Sequence, residues 1–139
     1  MEATLFKIKQ FYESLNEDHL KNLGSIYAPN ASFKDPFQEV NGIKNIELVF
    51  KKMFDQLNNP KFKVIETKGD MNSAAVLWDF EFSFKRWNHQ TQSLRGVSWL
   101  YFDSEGLIKR HVDYWDPAEG IYEKLPMIGS FMRLLKKSA

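Results

Sequence analysis

Cysteine is absent from the chain, which excludes a disulfide framework, a thiolate metal site and a cysteine nucleophile. The fold must be held by its apolar core alone. No sign of charge dominates: nineteen Lys and Arg stand against eighteen Asp and Glu, a formal net charge of +1. The basic excess of a nucleic-acid footprint is missing, so no nucleic-acid partner is expected. Long hydrophobic runs are also missing. Ala74 to Trp78 is typical of the short ones present, far below the roughly 20 residues that a membrane-spanning helix needs. Glu2, Lys7, Lys9 and Glu13 interrupt the first apolar positions, against the order of a secretory signal. A soluble, cytoplasmic protein is expected. Neither a Gly-rich phosphate loop nor a Gly-x-Ser-x-Gly elbow occurs, and His19, His89 and His111 lack the spacing of a zinc motif. No metal and no cofactor are expected.

What is abundant is apolar side chain. Hydrophobic residues make up 43% of the 139, and twelve Phe and four Trp contribute to an aromatic share of 15%, too much for a disordered chain. The length fits one domain with one core. Leu5, Ile8, Phe11, Tyr12 and Leu15 recur at helical steps and predict a first amphipathic helix. Asn16 can cap a second, with Glu17 and Asp18 in its first turn and Leu20, Leu23, Ile26 and Tyr27 as its stripe. Pro29-Asn30 ends it, Ala31 to Lys34 reads as extended, and Asp35-Pro36 starts a turn and loop through Glu39. Ile43 to Leu57 carries a third helical stripe, broken at Asn58-Asn59-Pro60.

Beyond Pro60 the period changes to two. Phe62 and Val64, then Val76, Trp78, Phe80, Phe82 and Phe84, alternate with polar residues, the pattern of strands with one buried face. Turn residues at 68–73, 88–92 and 103–106 separate four strands, the last two covering Leu94 to Phe102 and Leu107 to Trp115. Helices followed by hairpin-linked strands predict an α+β fold with a mostly antiparallel sheet. Asp116-Pro117 with Glu119 marks another helix start. The following residues, with Arg133, Lys136 and Lys137, read as a cationic amphipathic extension over 117–139 attached to a core of 4–116.

The element order, and above all the run from Tyr27 to Pro36 (Tyr-Ala-Pro-Asn-Ala-Ser-Phe-Lys-Asp-Pro), resembles the nuclear transport factor 2-like superfamily, which includes ketosteroid isomerases and SnoaL-like polyketide cyclases. The resemblance spans Thr4 to about Trp115. It implies a cystatin-like cone, in which a curved sheet and three helices enclose an apolar pocket, and it places Asp35 where the isomerases keep their general base. It also sets Ser98, Leu100 and Phe102 on the inner face of one strand and His111, Asp113 and Trp115 on the inner face of the next. Residues two apart project from one side at about 6.5 Å spacing, so His111 and Asp113 reach one cavity while Asp35 looks in from its rim. A carboxylate in apolar surroundings has its charged form disfavoured and can exchange a proton near neutral pH.

The expected site therefore has Asp35 as base with His111 and Asp113 as relay or orienting pair, and Phe11, Tyr12, Phe33, Phe50, Trp78, Phe80, Ser98 and Trp115 around the ligand. Phe11 and Ser98 stand where the isomerases carry their oxyanion-hole donors, so that hole is missing, and His111 with Asp113 resembles the SnoaL-like cyclases more closely. Plainer roles fit the same residues: Asp35 as a turn residue, His111 and Asp113 as a structural pair, Asp116 as a helix cap, and the Phe and Trp alternation chiefly as core. The expected function is binding of a hydrophobic small molecule with isomerisation, cyclisation or dehydration by proton transfer. A non-catalytic carrier or sensor and a protein-interaction module are the alternatives. Val97, Trp99 and Tyr101 alternate out of phase with the inner residues and predict a homodimer through the outer sheet face. The extension is expected to cover the cone mouth through Ile121, Leu125, Ile128 and Phe131, in preference to docking Met127 to Lys137 on a membrane.

Overall fold

The computed structural model describes residues 2–86 and 90–120. His89 and the extension from residue 121 lie outside these residues, and so do the expectations of a lid or membrane contact. Helix α1 spans Glu2–Glu13, followed by a 3-10 helix over Glu17–Ser25. Strand β1 (Tyr27–Lys34) and the short β2 (Glu39–Asn41) precede helix α2 (Ile43–Gln56). The meander β3 (Leu57–Gly69), β4 (Ser73–Phe84), β5 (Gln92–Phe102) and β6 (Ile108–Trp115) follows, and a single turn, α3 (Pro117–Gly120), closes the described chain. The predicted α+β class holds. One curved, unclosed sheet has the order β2-β1-β6-β5-β4-β3.

Both predicted caps form. Asn16 Oδ1 accepts from the His19 N–H at 3.1 Å and Asp116 Oδ1 from the Ala118 N–H at 2.9 Å, satisfying donors that a helix start leaves open. Boundaries differ from the periodicity at several places. Tyr27 is the first residue of β1, not the last of a helical stripe, and the expected loop before Asn41 contains β2, which pairs antiparallel with β1. Leu57 belongs to β3, not to the third helix. Pro60 lies inside that strand, which is tolerated because β3 is a sheet edge and its pairing slips between Asn58 and Lys61.

Alternation along β4 and β5 is as expected. Ala74, Val76, Trp78, Phe80, Phe82 and Phe84 are buried, as are Leu94, Ser98, Leu100 and Phe102. On the outer face Asp79 sits opposite Arg95, which donates to both its carboxylate oxygens at 2.8 and 3.0 Å. Helix α1 packs on β3 and α2 on β1, β2 and β3, so both fill the concave side. The connection that shapes the site is long-range. β1 runs parallel to β6, with Phe33 opposite His111 and Lys34 opposite Val112. One further step along that register brings Asp35 towards Asp113.

Candidate functional site

A cavity of about 190 Å³ opens between α2 and the inner sheet face. Half of its lining residues are aromatic, Asp35 and Asp113 supply its carboxylates, and Lys52 lines it from an exposed position on α2. Of the residues expected here, Asp35, Asp113, Phe33, Phe50, Trp78, Phe80 and Trp115 line the cavity. Phe11, Tyr12, Ser98 and His111 do not. Phe11 is half-buried, with its ring edge-on to Tyr27 and Phe50. The other three form the layer behind the cavity wall, because α1 covers that end of the cone and brings Tyr12 against His111.

His111 is 2% exposed and Tyr27 fully buried. The Tyr27 hydroxyl meets His111 Nδ1 at 2.8 Å, and His111 Nε2 meets Asp113 Oδ1 at 2.6 Å. These contacts select a tautomer. An ionised carboxylate only accepts, so Nε2 carries the hydrogen, and the buried phenol donates to the Nδ1 lone pair. A doubly protonated ring would leave the Tyr27 O–H buried without an acceptor, at a cost of about 1–3 kcal/mol. Burial first, then the Asp113 charge, raises both the Tyr12 and Tyr27 phenols well above their ordinary pKa, so both remain protonated donors. Tyr12 lies beside Ser98 and 3.5 Å from His111 Nε2.

Asp113 is held from a second side. Ser98, directly opposite it on β5, donates to the same Oδ1 and accepts from Trp78 Nε1 at 2.9 Å. Trp78 reaches this place because Gly96 is opposite it: a Cβ on Gly96 would collide with the indole ring, so only glycine lets the ring lie over β5. Asp113 Oδ2 has no hydrogen-bond partner among the described residues, where no buried side-chain oxygen lacks one. That oxygen is therefore not fully buried, and Asp113 lines the cavity.

Asp35 combines the turn role with a place on the wall. Its Oδ1 accepts from the Phe37 and Gln38 backbone N–H groups at 2.8 and 3.0 Å, and Oδ2 from Gln38 Nε2 at 3.0 Å. Desolvation still raises its pKa against those donors, aided by the charge of Asp113. The folded protein thus holds this proton to higher pH than the unfolded chain does, and stability falls as pH rises through the interval between the two pKa values. Asp35→Asn keeps the Oδ1 acceptor without the charge. It is expected to raise the melting temperature at pH about 7, with the gain vanishing below about pH 4, where the unfolded carboxyl is also protonated. Thermal melts at both pH values check this, and a gain independent of pH overturns it.

Sequence reasoning missed Tyr27 as the partner of His111, along with Phe37 and Gln38. Tyr27 shares the parity of the buried Ala31 and Phe33 on β1, a signal lost when its spacing from Leu20 and Leu23 is read as a helical stripe. His19 is exposed, as expected. Among the described residues no cluster of His, Asp and Glu has the arrangement of a metal site, and no helix is long and apolar enough to cross a membrane.

Three helices set against one curved, unclosed sheet define a class of small cone-shaped α+β domains. The SnoaL-like domain family matches residues 8–111, and the chain belongs to that family. Three solved structures show the same fold at low identity. A ketosteroid isomerase-like protein from Catenulispora acidiphila, in complex with trimethylamine, is 12% identical, covers 88% of this chain and 93% of its own, and has a TM-score of 0.73. A nuclear transport factor 2-like protein of unknown function from Burkholderia pseudomallei is 15% identical over 86% and 95%, with a TM-score of 0.74. A protein provisionally designated a SnoaL-like polyketide cyclase, from Shewanella putrefaciens, is 16% identical over 91% and 96%, with a TM-score of 0.71. No curated protein matches the chain in sequence.

Proposed function

We propose that the cavity binds a hydrophobic small molecule and that its carboxylates move a proton on that molecule without a cofactor, in an isomerisation, cyclisation or dehydration. The observation that carries this reading is Asp113: it lines an apolar cavity, and one of its oxygens is fixed by Ser98 and His111 while the other accepts from none of the described residues. A base needs this combination of restraint and a free lone pair. Asp113 Oδ2 takes the proton, the His111–Tyr27 pair orients Asp113 from behind, and Asp35, whose pKa is raised, returns a proton to the product. Two carboxylates in unlike environments divide acid and base work in this way. The sequence reading gave Asp35 the role of base, but its oxygens already accept three hydrogen bonds, which occupy the lone pairs a base would use, while burial, which raises its pKa against those donors, suits it to the acid role. Membership in the SnoaL-like family and the cyclase designation of a structural neighbour support the reaction class. The trimethylamine complex of another neighbour supports a small organic ligand.

The test is to extract the purified protein, identify the retained compound by mass spectrometry, and incubate that compound with the protein in heavy water. Deuterium appearing in recovered compound or product supports proton transfer. Tight retention with no incorporation supports a carrier instead.

Assembly belongs to the same proposal. On the convex face Trp99, Tyr101 and Tyr114 are 42, 39 and 61% exposed, and Val97 is half-buried. A two-fold dimer would bury this patch, its two copies meeting the same surface on each other. Trp99→Glu is expected to convert a dimer to monomer in light scattering, and a wild-type protein that is monomeric at high concentration overturns the model.

A further inference from the structure

We infer that the cavity selects an organic cation, a protonated or quaternary amine carried on an apolar skeleton. This rests on the cavity being the ligand site and adds the charge of its ligand. Asp35 and Asp113 stand among rings. Phe33 lies two residues before Asp35 and Phe37 two after it, while Trp115 lies two after Asp113, and all three line the cavity. The Phe37 and Trp115 rings meet edge to face at 5.3 Å, and the Trp78 indole is bonded to Ser98 directly behind Asp113.

Three kinds of ligand can be compared in this setting. A neutral apolar molecule gains burial against the rings but takes the carboxylates further from water and brings no charge to offset theirs. An anion adds a third like charge beside them; Lys52, exposed on α2, supplies one positive charge against two negative ones. A cation offsets both carboxylates and is also attracted by the aromatic quadrupoles, most strongly those of Trp. Rings alone suit any hydrophobic ligand, and carboxylates alone suit any cation including a hydrated metal. Their combination in one small cavity favours a cation that sheds water easily, which an alkylated ammonium does and a metal ion does not. The raised pKa of Asp35, which comes first from burial and in smaller part from the charge of Asp113, fits a cavity in which a cation would be welcome.

The test uses three probes of nearly equal shape: choline, its neutral carbon isostere tert-butylethanol, and tert-butylacetic acid as its anion. Each is titrated into the full-length protein at neutral pH, followed by tryptophan fluorescence and by backbone amide NMR shifts at Phe33, Phe37 and Trp115. Choline is expected to bind at least about tenfold more tightly than the alcohol, as desolvated cation–π contact with nearby carboxylates allows, and the anion most weakly. Asp113→Asn should shrink that ratio several-fold with little change for the alcohol. If the variant does not fold, the wild-type ratios decide alone. Equal affinity for choline and the alcohol, or tightest binding of the anion, overturns cation selection while leaving the cavity a ligand site. Shifts from none of the three overturn both.

Discussion

Asp113→Asn is expected to lower deuterium incorporation into the ligand by about 100-fold or more, the usual contribution of a positioned general base. The substitution isolates chemistry from architecture. Asparagine keeps an oxygen able to accept from Ser98 and from His111 Nε2, the partners of Asp113 Oδ1, so the array behind the wall survives. What disappears is the charge and the open basic oxygen. Retention of the ligand should fall far less than exchange, because the aromatic wall is untouched. Isotope incorporation measured beside equilibrium binding checks this. Unchanged exchange in a folded Asp113→Asn protein would remove Asp113 from the chemistry and return the role of base to Asp35.

His111→Ala should destabilise the fold by about 3–5 kcal/mol, the range for a large-to-small change in a core. Its effect has two parts. Removal of the imidazole leaves a void between Tyr12, Tyr27 and Phe33, whose rings pack around it. It also leaves the buried Tyr27 hydroxyl without its acceptor, which adds about 1–3 kcal/mol of the desolvation penalty. Tyr27→Phe alone should cost about that smaller amount, since Nδ1 then loses its donor. In the His111→Ala background the same tyrosine change should cost nothing or be stabilising, because it removes an orphaned hydroxyl. Urea unfolding of the four proteins completes the cycle. Additive costs would show that the Tyr27–His111 bond contributes little, and the reading of His111 as a restraint on Asp113 would lose its support.

The elements that the sequence made legible are those whose pattern is local. Alternation from Val76 to Phe84 and from Leu94 to Phe102 identified the buried face of β4 and β5, because side chains on a strand change sides at every residue whatever lies around them. Capping at Asn16 and Asp116 was legible for the same reason, a side-chain oxygen reaching N–H groups two or three residues away. The Asp-Pro turn was legible as well: Asp35 organises the turn, and it also lines the cavity. Tyr27 was misassigned to a helix because its spacing from Leu20, Leu23 and Ile26 fits a helical stripe, while it also fits the buried parity of Ala31 and Phe33 on β1, and local periodicity does not choose between the two.

Strand parity distinguishes a sheet's two faces but carries no information about depth. His111, Asp113 and Trp115 share one side of β6, yet only Asp113 and Trp115 reach the cavity. His111 is covered because α1, roughly a hundred residues earlier in the chain, places Tyr12 against it. The same applies to the meeting of Asp35 with Asp113, which depends on the parallel pairing of β1 with β6. So the sequence by itself determined most of the secondary structure, the inward and outward sets of β4 and β5, and the residue types available for chemistry. Tertiary structure alone decided which inward residues face the ligand and which restrain them from behind, since that depends on packing between segments whose separation along the chain no local periodicity records.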